Sequence, residues 1–168
     1  MKTNFIQYLQ SLNNISKIIL ILLLTSSVTY GQNDLCKARL IVDHDLNIGS
    51  SNADGAYYLM TVTNTASTAD TFTLSSKNIN TTCSNTDGSS SAHNINLDAV
   101  FVDTKLNPIS AISLNPGQTY SFYTHITIPM DSEIKKWCCT QIFVQSKNCL
   151  DYKVNTIVHT YYSGPNEN

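Results

Sequence analysis

The chain has 168 residues, ten Lys and Arg against twelve Asp and Glu, and a formal net charge of −2. Basic residues this few and this scattered, with only Lys135 and Lys136 adjacent, exclude a nucleic-acid footprint. Charged residues make up only 13% of the chain while Ser, Thr and Asn are abundant, a balance that suits secreted β proteins and sets a class without setting a function.

In chain order, residues 1–17 are mostly polar, with Lys2 and Lys17 as their only charges, and lead into the apolar run Ile18–Leu24 and then TSSVTYGQ. A positive start, a short apolar centre and a small-residue exit predict a secretory signal peptide over 1–31, cleaved after Gly31 or, alternatively, after Ser27. The apolar run reaches about 13 residues, short of the roughly 18 that span a bilayer. No membrane span is expected in the mature chain, 32–168, which suits one domain that is secreted, periplasmic or associated with the cell surface.

Period-two alternation then recurs. Residues 36–43, CKARLIVD, form an entry strand, and in YYLMTVTNTASTADTFTL (57–74) Tyr58, Met60 and Val62 share one face, with Phe72 and Leu74 resuming the pattern. The polar knot NTASTAD between them reads as a tight connection between antiparallel strands, its Asn, Ser and Asp bonding to turn backbone. LDAVFVD (97–103) is a further strand. In ISLNPGQTYSFYTHITIP (112–129), Pro116 and Gly117 fit the centre of a type II turn; beyond it Tyr120, Phe122, Ile126 and Ile128 face one way and Ser121, Tyr123, His125 and Thr127 the other. WCCTQIFVQS (137–146) and CLDYKVNTIVHTYY (149–162) read as a hairpin turning near Lys147–Asn148. Two longer polar loops, 44–55 and 75–96, interrupt the pattern, and Cys83 marks the second as stapled. The expectation is an all-β antiparallel sandwich of seven to eight strands with no helix.

The residues VTNTASTADTFTL and ISLNPGQTYSFYTHITIP resemble the immunoglobulin-like modules of bacterial secreted and surface proteins, in particular the cell-adhesion-related (CARDB-type) group. That pattern has a strand ending V-x-N-T-G, a turn into D-x-F-x-L, and later a P-G-Q turn before a long amphipathic strand. Ala66 stands where the group has Gly. The resemblance covers most of 57–160 and implies an immunoglobulin-like sandwich. By analogy it also implies a non-catalytic module acting in protein binding, adhesion or spacing.

Five cysteines remain after export: Cys36, Cys83, Cys138, Cys139 and Cys149, an odd number in an oxidising compartment. Zinc is the rival use, but there is no C-x₂-C pair and no His at ligand spacing from one. Adjacent Cys138 and Cys139 point to opposite faces of a strand. If successive strands alternate in direction, residue 36 and the turns 64–70, 104–110 and 129–136 share one end, with Cys83 and Cys149 at the other. Pairing needs Cα atoms within about 7 Å, so the expected bridges are Cys83–Cys149 and Cys36 with Cys138 or Cys139.

No G-x-S-x-G or H-E-x-x-H flanks any of the four histidines, and no catalytic residues, cofactor or enzyme activity are expected. Asp43, His44, Asp45 and Asp54 offer oxygen and imidazole groups in one loop, but their spacing does not fit an EF-hand and no metal site is assigned. Tyr57, Tyr123 and Trp137 are the candidate ligand face. If they share one exposed surface they suit an extracellular glycan as the alternative to a protein partner; otherwise they finish packing at sheet edges.

Overall fold

The computed structural model describes residues 35–80, 83 and 94–165. The expected signal peptide, 1–31, lies outside the described residues, as does His93. Alternation becomes structure as the sequence suggests. Nine strands form among the described residues: β1 (Ala38–Val42), β2 (Ile48–Ser51), β3 (Ala56–Asn64), β4 (Asp70–Asn78), β5 (Asp98–Asp103), β6 (Ala111–Leu114), β7 (Thr119–Thr127), β8 (Lys136–Ser146) and β9 (Lys153–Tyr162). The sheets run β1-β3-β7-β5 and β2-β9-β8-β4-β6. With the strands lettered in order, these are the A-B-E-D and G-F-C arrangements of an immunoglobulin-like sandwich, with β2 added beside β9 and β6 beside β4.

The inward faces meet in one core. Tyr58, Met60 and Val62 of β3, Phe122 and Ile126 of β7, Phe72 and Leu74 of β4, and Cys138, Ile142 and Val144 of β8 are buried together with Val158 of β9. Each of the large side chains contributes roughly 1.5–3 kcal/mol by leaving water.

Four expectations need correction. The strands number nine, because the first polar loop contains β2, which runs parallel to β9 with Ile48 opposite His159; not every ladder is antiparallel. The second loop starts later, since β4 continues through Asn78. The polar knot does not join paired strands: β3 and β4 lie in different sheets, so it carries the chain across the sandwich.

The fourth correction concerns the disulfides, which are Cys36–Cys149 and Cys83–Cys139, with Cα separations of 6.1 and 6.2 Å; Cys138 is free and buried. Neither Cys83–Cys149 nor a Cys36 bridge to Cys138 or Cys139 forms. The cause is one unexpected chain reversal. After β5 the chain doubles back, Val102 bridging Pro108 and Ile109 N donating to Phe101 O at 2.9 Å, before crossing to β6. β6 pairs antiparallel with β4, Leu114 opposite Asp70, and so runs in the same direction as β5 instead of against it. Every later strand is thereby inverted relative to the expectation. Ser146 comes opposite Phe72, near the start of β4, and the 147–152 turn joins residue 36 at one end. Cys139 comes to the other end, beside the segment holding Cys83.

The Pro116–Gly117 turn forms as expected: Gly117 has φ +73°, and Gln118 N donates to Asn115 O at 3.0 Å.

Candidate functional site

Two places gather chemistry-bearing side chains, one on the outer face of each sheet.

On the four-stranded sheet, register alone aligns the first. Tyr57 of β3 lies opposite His125 of β7, which lies opposite Val100 of β5; one pleat along, Leu59, Tyr123 and Val102 form the next row. Tyr57 stacks on the His125 imidazole at 3.9 Å with rings 4° from parallel, and meets Tyr123 edge-on at 6.0 Å and 89°. The His125 ring is fixed from behind, its Nε2–H donating to Asp54 O at 2.9 Å. Gly55 makes that approach feasible. It sits at φ +84°, and a Cβ there would lie 2.1 Å from Ile126 O and 2.9 Å from His125 Nε2. Tyr57 remains 50% exposed and Val100 45%, with Ile41 of β1 at 37% on the same face. Trp137 is not part of this surface. It belongs to β8 in the other sheet, where it packs 5.2 Å from Tyr161, so the three-residue ligand face expected from the sequence is reduced to Tyr57 and Tyr123.

The second place lies on the five-stranded sheet. Cys139 of β8 and His159 of β9 are cross-strand partners, and Cys83 reaches over them from the β4–β5 connection. His159 Nδ1 lies 3.5 Å from the Sγ of Cys83 and 3.5 Å from the Sγ of Cys139. Cys139 has no exposure and His159 9%. Asparagines hold the connection against β8. Asn80 Nδ2 donates to Ile95 O at 2.6 Å while its Oδ1 accepts Cys139 N at 2.9 Å, and Asn94 Nδ2 points at the Cys139 sulfur from 3.8 Å. The Asn80 amide is therefore committed to structure. Among the described residues this is the group of three potential metal ligands that converges, its ligand atoms within 4.8 Å of one another. Asp43, Asp45 and Asp54 form no such group; His44 simply pairs with Asp43, Nδ1 to Oδ2, at 2.7 Å on the surface.

Sequence reasoning missed this cluster. His159 is far from any cysteine pair along the chain, and only the β8–β9 register brings it to Cys139. The one available signal was that hairpin: counting back from a turn centred nearer 149 than 147 would have set Cys139 against His159.

On the inner side of the same strand, the Cys138 thiol donates to Asn78 Oδ1 at 3.2 Å, and burial pushes its pKa up. Buried Tyr58 donates its hydroxyl to His159 O at 3.0 Å and shares a 2.8 Å bond with Thr160 Oγ1; burial pushes its pKa up to about 12. A cleft of about 280 Å³ beside Asp70 and Asn148 offers no unused charge, because the Asp70 carboxylate already accepts bonds from Ser146 Oγ and Thr71 N.

No protein-family model matches the chain, and no curated protein matches it. Solved structures resemble it in part, at low identity and with TM-scores below 0.5. A family 123 glycoside hydrolase from Clostridium perfringens is 13% identical at a TM-score of 0.49, over 76% of this chain and 27% of that one. A FixG-related protein from Vibrio parahaemolyticus is 10% identical at 0.46, over 76% and 95%. The E. coli chaperone DraB is 13% identical at 0.43, over 77% and 56%. The chain thus spans about a quarter of the hydrolase and somewhat over half of the chaperone. Class rests on the chain's own strand order: an all-β, immunoglobulin-like sandwich with two disulfides.

Proposed function

We propose that the chain is exported and that residues 32–168 form a non-catalytic module acting in protein binding or adhesion, docking a protein partner on the outer face of the four-stranded sheet. Two disulfides suit an oxidising compartment. Among the described residues no helix is long and apolar enough to cross a membrane. The observation that carries the reading is the contiguous row in which Tyr57 and Val100 are about half exposed and His125 between them is partly buried, with Tyr123 beside it, aromatics of the kind that anchor protein interfaces. Glycan binding is less well supported. A sugar ring stacks on a flat platform, whereas Tyr57 and Tyr123 stand at 89° and one face of Tyr57 is covered by His125.

The test is cross-linked capture from the surface of the native cell, comparing wild type with a Tyr57→Ser/Val100→Lys variant. The proposal expects a protein captured by wild type and lost from the variant. Equal capture by both, or saturable binding on a glycan array that Tyr57→Ser abolishes, would contradict it.

A further inference from the structure

We propose that Cys83, Cys139 and His159 form a thiol-gated site for a thiophilic d¹⁰ cation, copper(I) or zinc(II): closed while the two sulfurs are bonded to each other, open when a dithiol reductant separates them.

Three observations support it. First, the donor set is the right chemistry, two cysteine sulfurs and one imidazole nitrogen, all soft or borderline ligands. Second, the spacing suits a metal. Bonds of about 2.3 Å to sulfur and about 2.0–2.1 Å to nitrogen, opened to a near-tetrahedral angle, put nitrogen and sulfur about 3.6 Å apart. His159 Nδ1 already stands 3.5 Å from each Sγ, so the imidazole need not move. Only the two sulfurs must part, to about 3.8 Å by the same geometry. Cys139 is held by the β8–β9 ladder, and Cys83 sits in the connection between β4 and β5, so the displacement falls on the residue outside the sheet. Third, a donor is aimed at the Cys139 sulfur: Asn94 Nδ2 stands 3.8 Å away, and its N–H offsets part of what burial costs a thiolate there, the positive charge of the cation supplying the rest.

The steps balance. A dithiol transfers two electrons and two protons to the Cys83–Cys139 bond, giving two thiols, and becomes a disulfide itself. The cation then forms two metal–sulfur bonds and displaces the two thiol protons to solvent, while His159 contributes its Nδ1 lone pair as a neutral imidazole protonated at Nε2. Copper(I) is satisfied by three donors; zinc would take a water as its fourth. This site lies on the opposite sheet from the proposed docking face, so either proposal can fail without the other.

The experiment uses full-length mature protein carrying Cys138→Ala, which removes the one free thiol, titrated with copper(I) in competition with bathocuproine disulfonate, or with zinc(II) against a colorimetric chelator. Both titrations are run anaerobically, with and without a phosphine reductant, and circular dichroism is recorded on every sample. The expected result is one cation per reduced chain and none per oxidised chain. His159→Ala and Cys83→Ser should each weaken the reduced protein's affinity at least about tenfold, since even a residue behind a metal ligand is worth about 10–100-fold. Should reduction unfold the chain, the cation is expected to restore the β-sheet spectrum and raise the melting temperature of the Cys83 form but not of Cys83→Ser. The proposal is overturned if neither binds, if oxidised and reduced protein bind alike, if both variants retain wild-type affinity, or if the cation leaves an unfolded reduced chain unfolded.

Discussion

Asn64 has no exposed surface, yet all its amide capacity in reach is used: Nδ2 donates to Thr68 O at 2.8 Å and Leu114 O at 3.0 Å, and Oδ1 accepts Ala66 N at 3.0 Å. Replacing it by Ala takes this partner from two buried backbone groups, Ala66 N and Leu114 O, and from the part-buried Thr68 O, so Asn64→Ala should lower unfolding free energy by about 2–3 kcal/mol in urea titrations. A loss under about 0.5 kcal/mol would mean that water substitutes freely. Tyr58 yields a prediction in pH. Its folded pKa, raised by burial to about 12, exceeds the ordinary tyrosine value of about 10, so the unfolded chain gives up the proton first. The hydroxyl's contribution is complete below about pH 10 and disappears as pH climbs through about 12, a difference of about 2–3 kcal/mol. Unfolding free energy should therefore fall more steeply over that window in wild type than in Tyr58→Phe. The Cys138 thiol, whose pKa is also raised by burial, adds to the fall, and its charge contributes to lifting the Tyr58 pKa, so the comparison is made with Cys138→Ala in both proteins. At this scale the sequence was partly legible. A polar knot rich in Asn and Ser announces bonds to turn backbone, and Asn64 makes them. Its bond to Leu114, fifty positions along, depends on β6 lying at the edge of the facing sheet, and no local pattern carries that.

Strands announced themselves wherever one face is buried and the other wet. Phe122, Thr124 and Ile126 inward against Tyr123 and His125 outward is the alternation the core requires. β2, by contrast, is Ile48-Gly49-Ser50-Ser51, with one buried residue and no alternating apolar set. It exists because β9 offers an edge and Asn47 O accepts His159 N at 2.8 Å, leading the chain into the parallel ladder. Direction was the other illegible quantity. The doubling-back over 104–109 looks in sequence like any polar turn, and missing it exchanged the partners of both disulfides. Two variants test elements directly. Gly55→Ala should cost more than 2 kcal/mol, roughly the strain of a side chain at positive φ plus displacement of Ile126 backbone, and should lower the melting temperature. Cys36→Ser opens a bridge spanning 113 residues and should cost about 3–5 kcal/mol on the chain-entropy argument, against a smaller loss for opening the 56-residue span of Cys83–Cys139.

For the whole molecule, two sheets share one apolar interior and are cross-linked near both ends, one bridge tying the segment before β1 to the β8–β9 turn and the other tying the β4–β5 connection to the start of β8. This architecture leaves two outer faces with different characters, an exposed aromatic row on the four-stranded sheet and a sulfur–imidazole cluster on the five-stranded one. Which residues share those faces follows from strand order and direction, so the functional proposals stand or fall with the topology. Disulfide connectivity reports that topology. Non-reducing peptide mapping of the protein, alkylated before and after denaturation, should find Cys36 linked to Cys149, Cys83 linked to Cys139, and Cys138 labelled only once the core is opened. A Cys83–Cys149 peptide, or Cys36 joined to Cys138 or Cys139, would mean that β8 and β9 run the other way and that neither face is assembled as described.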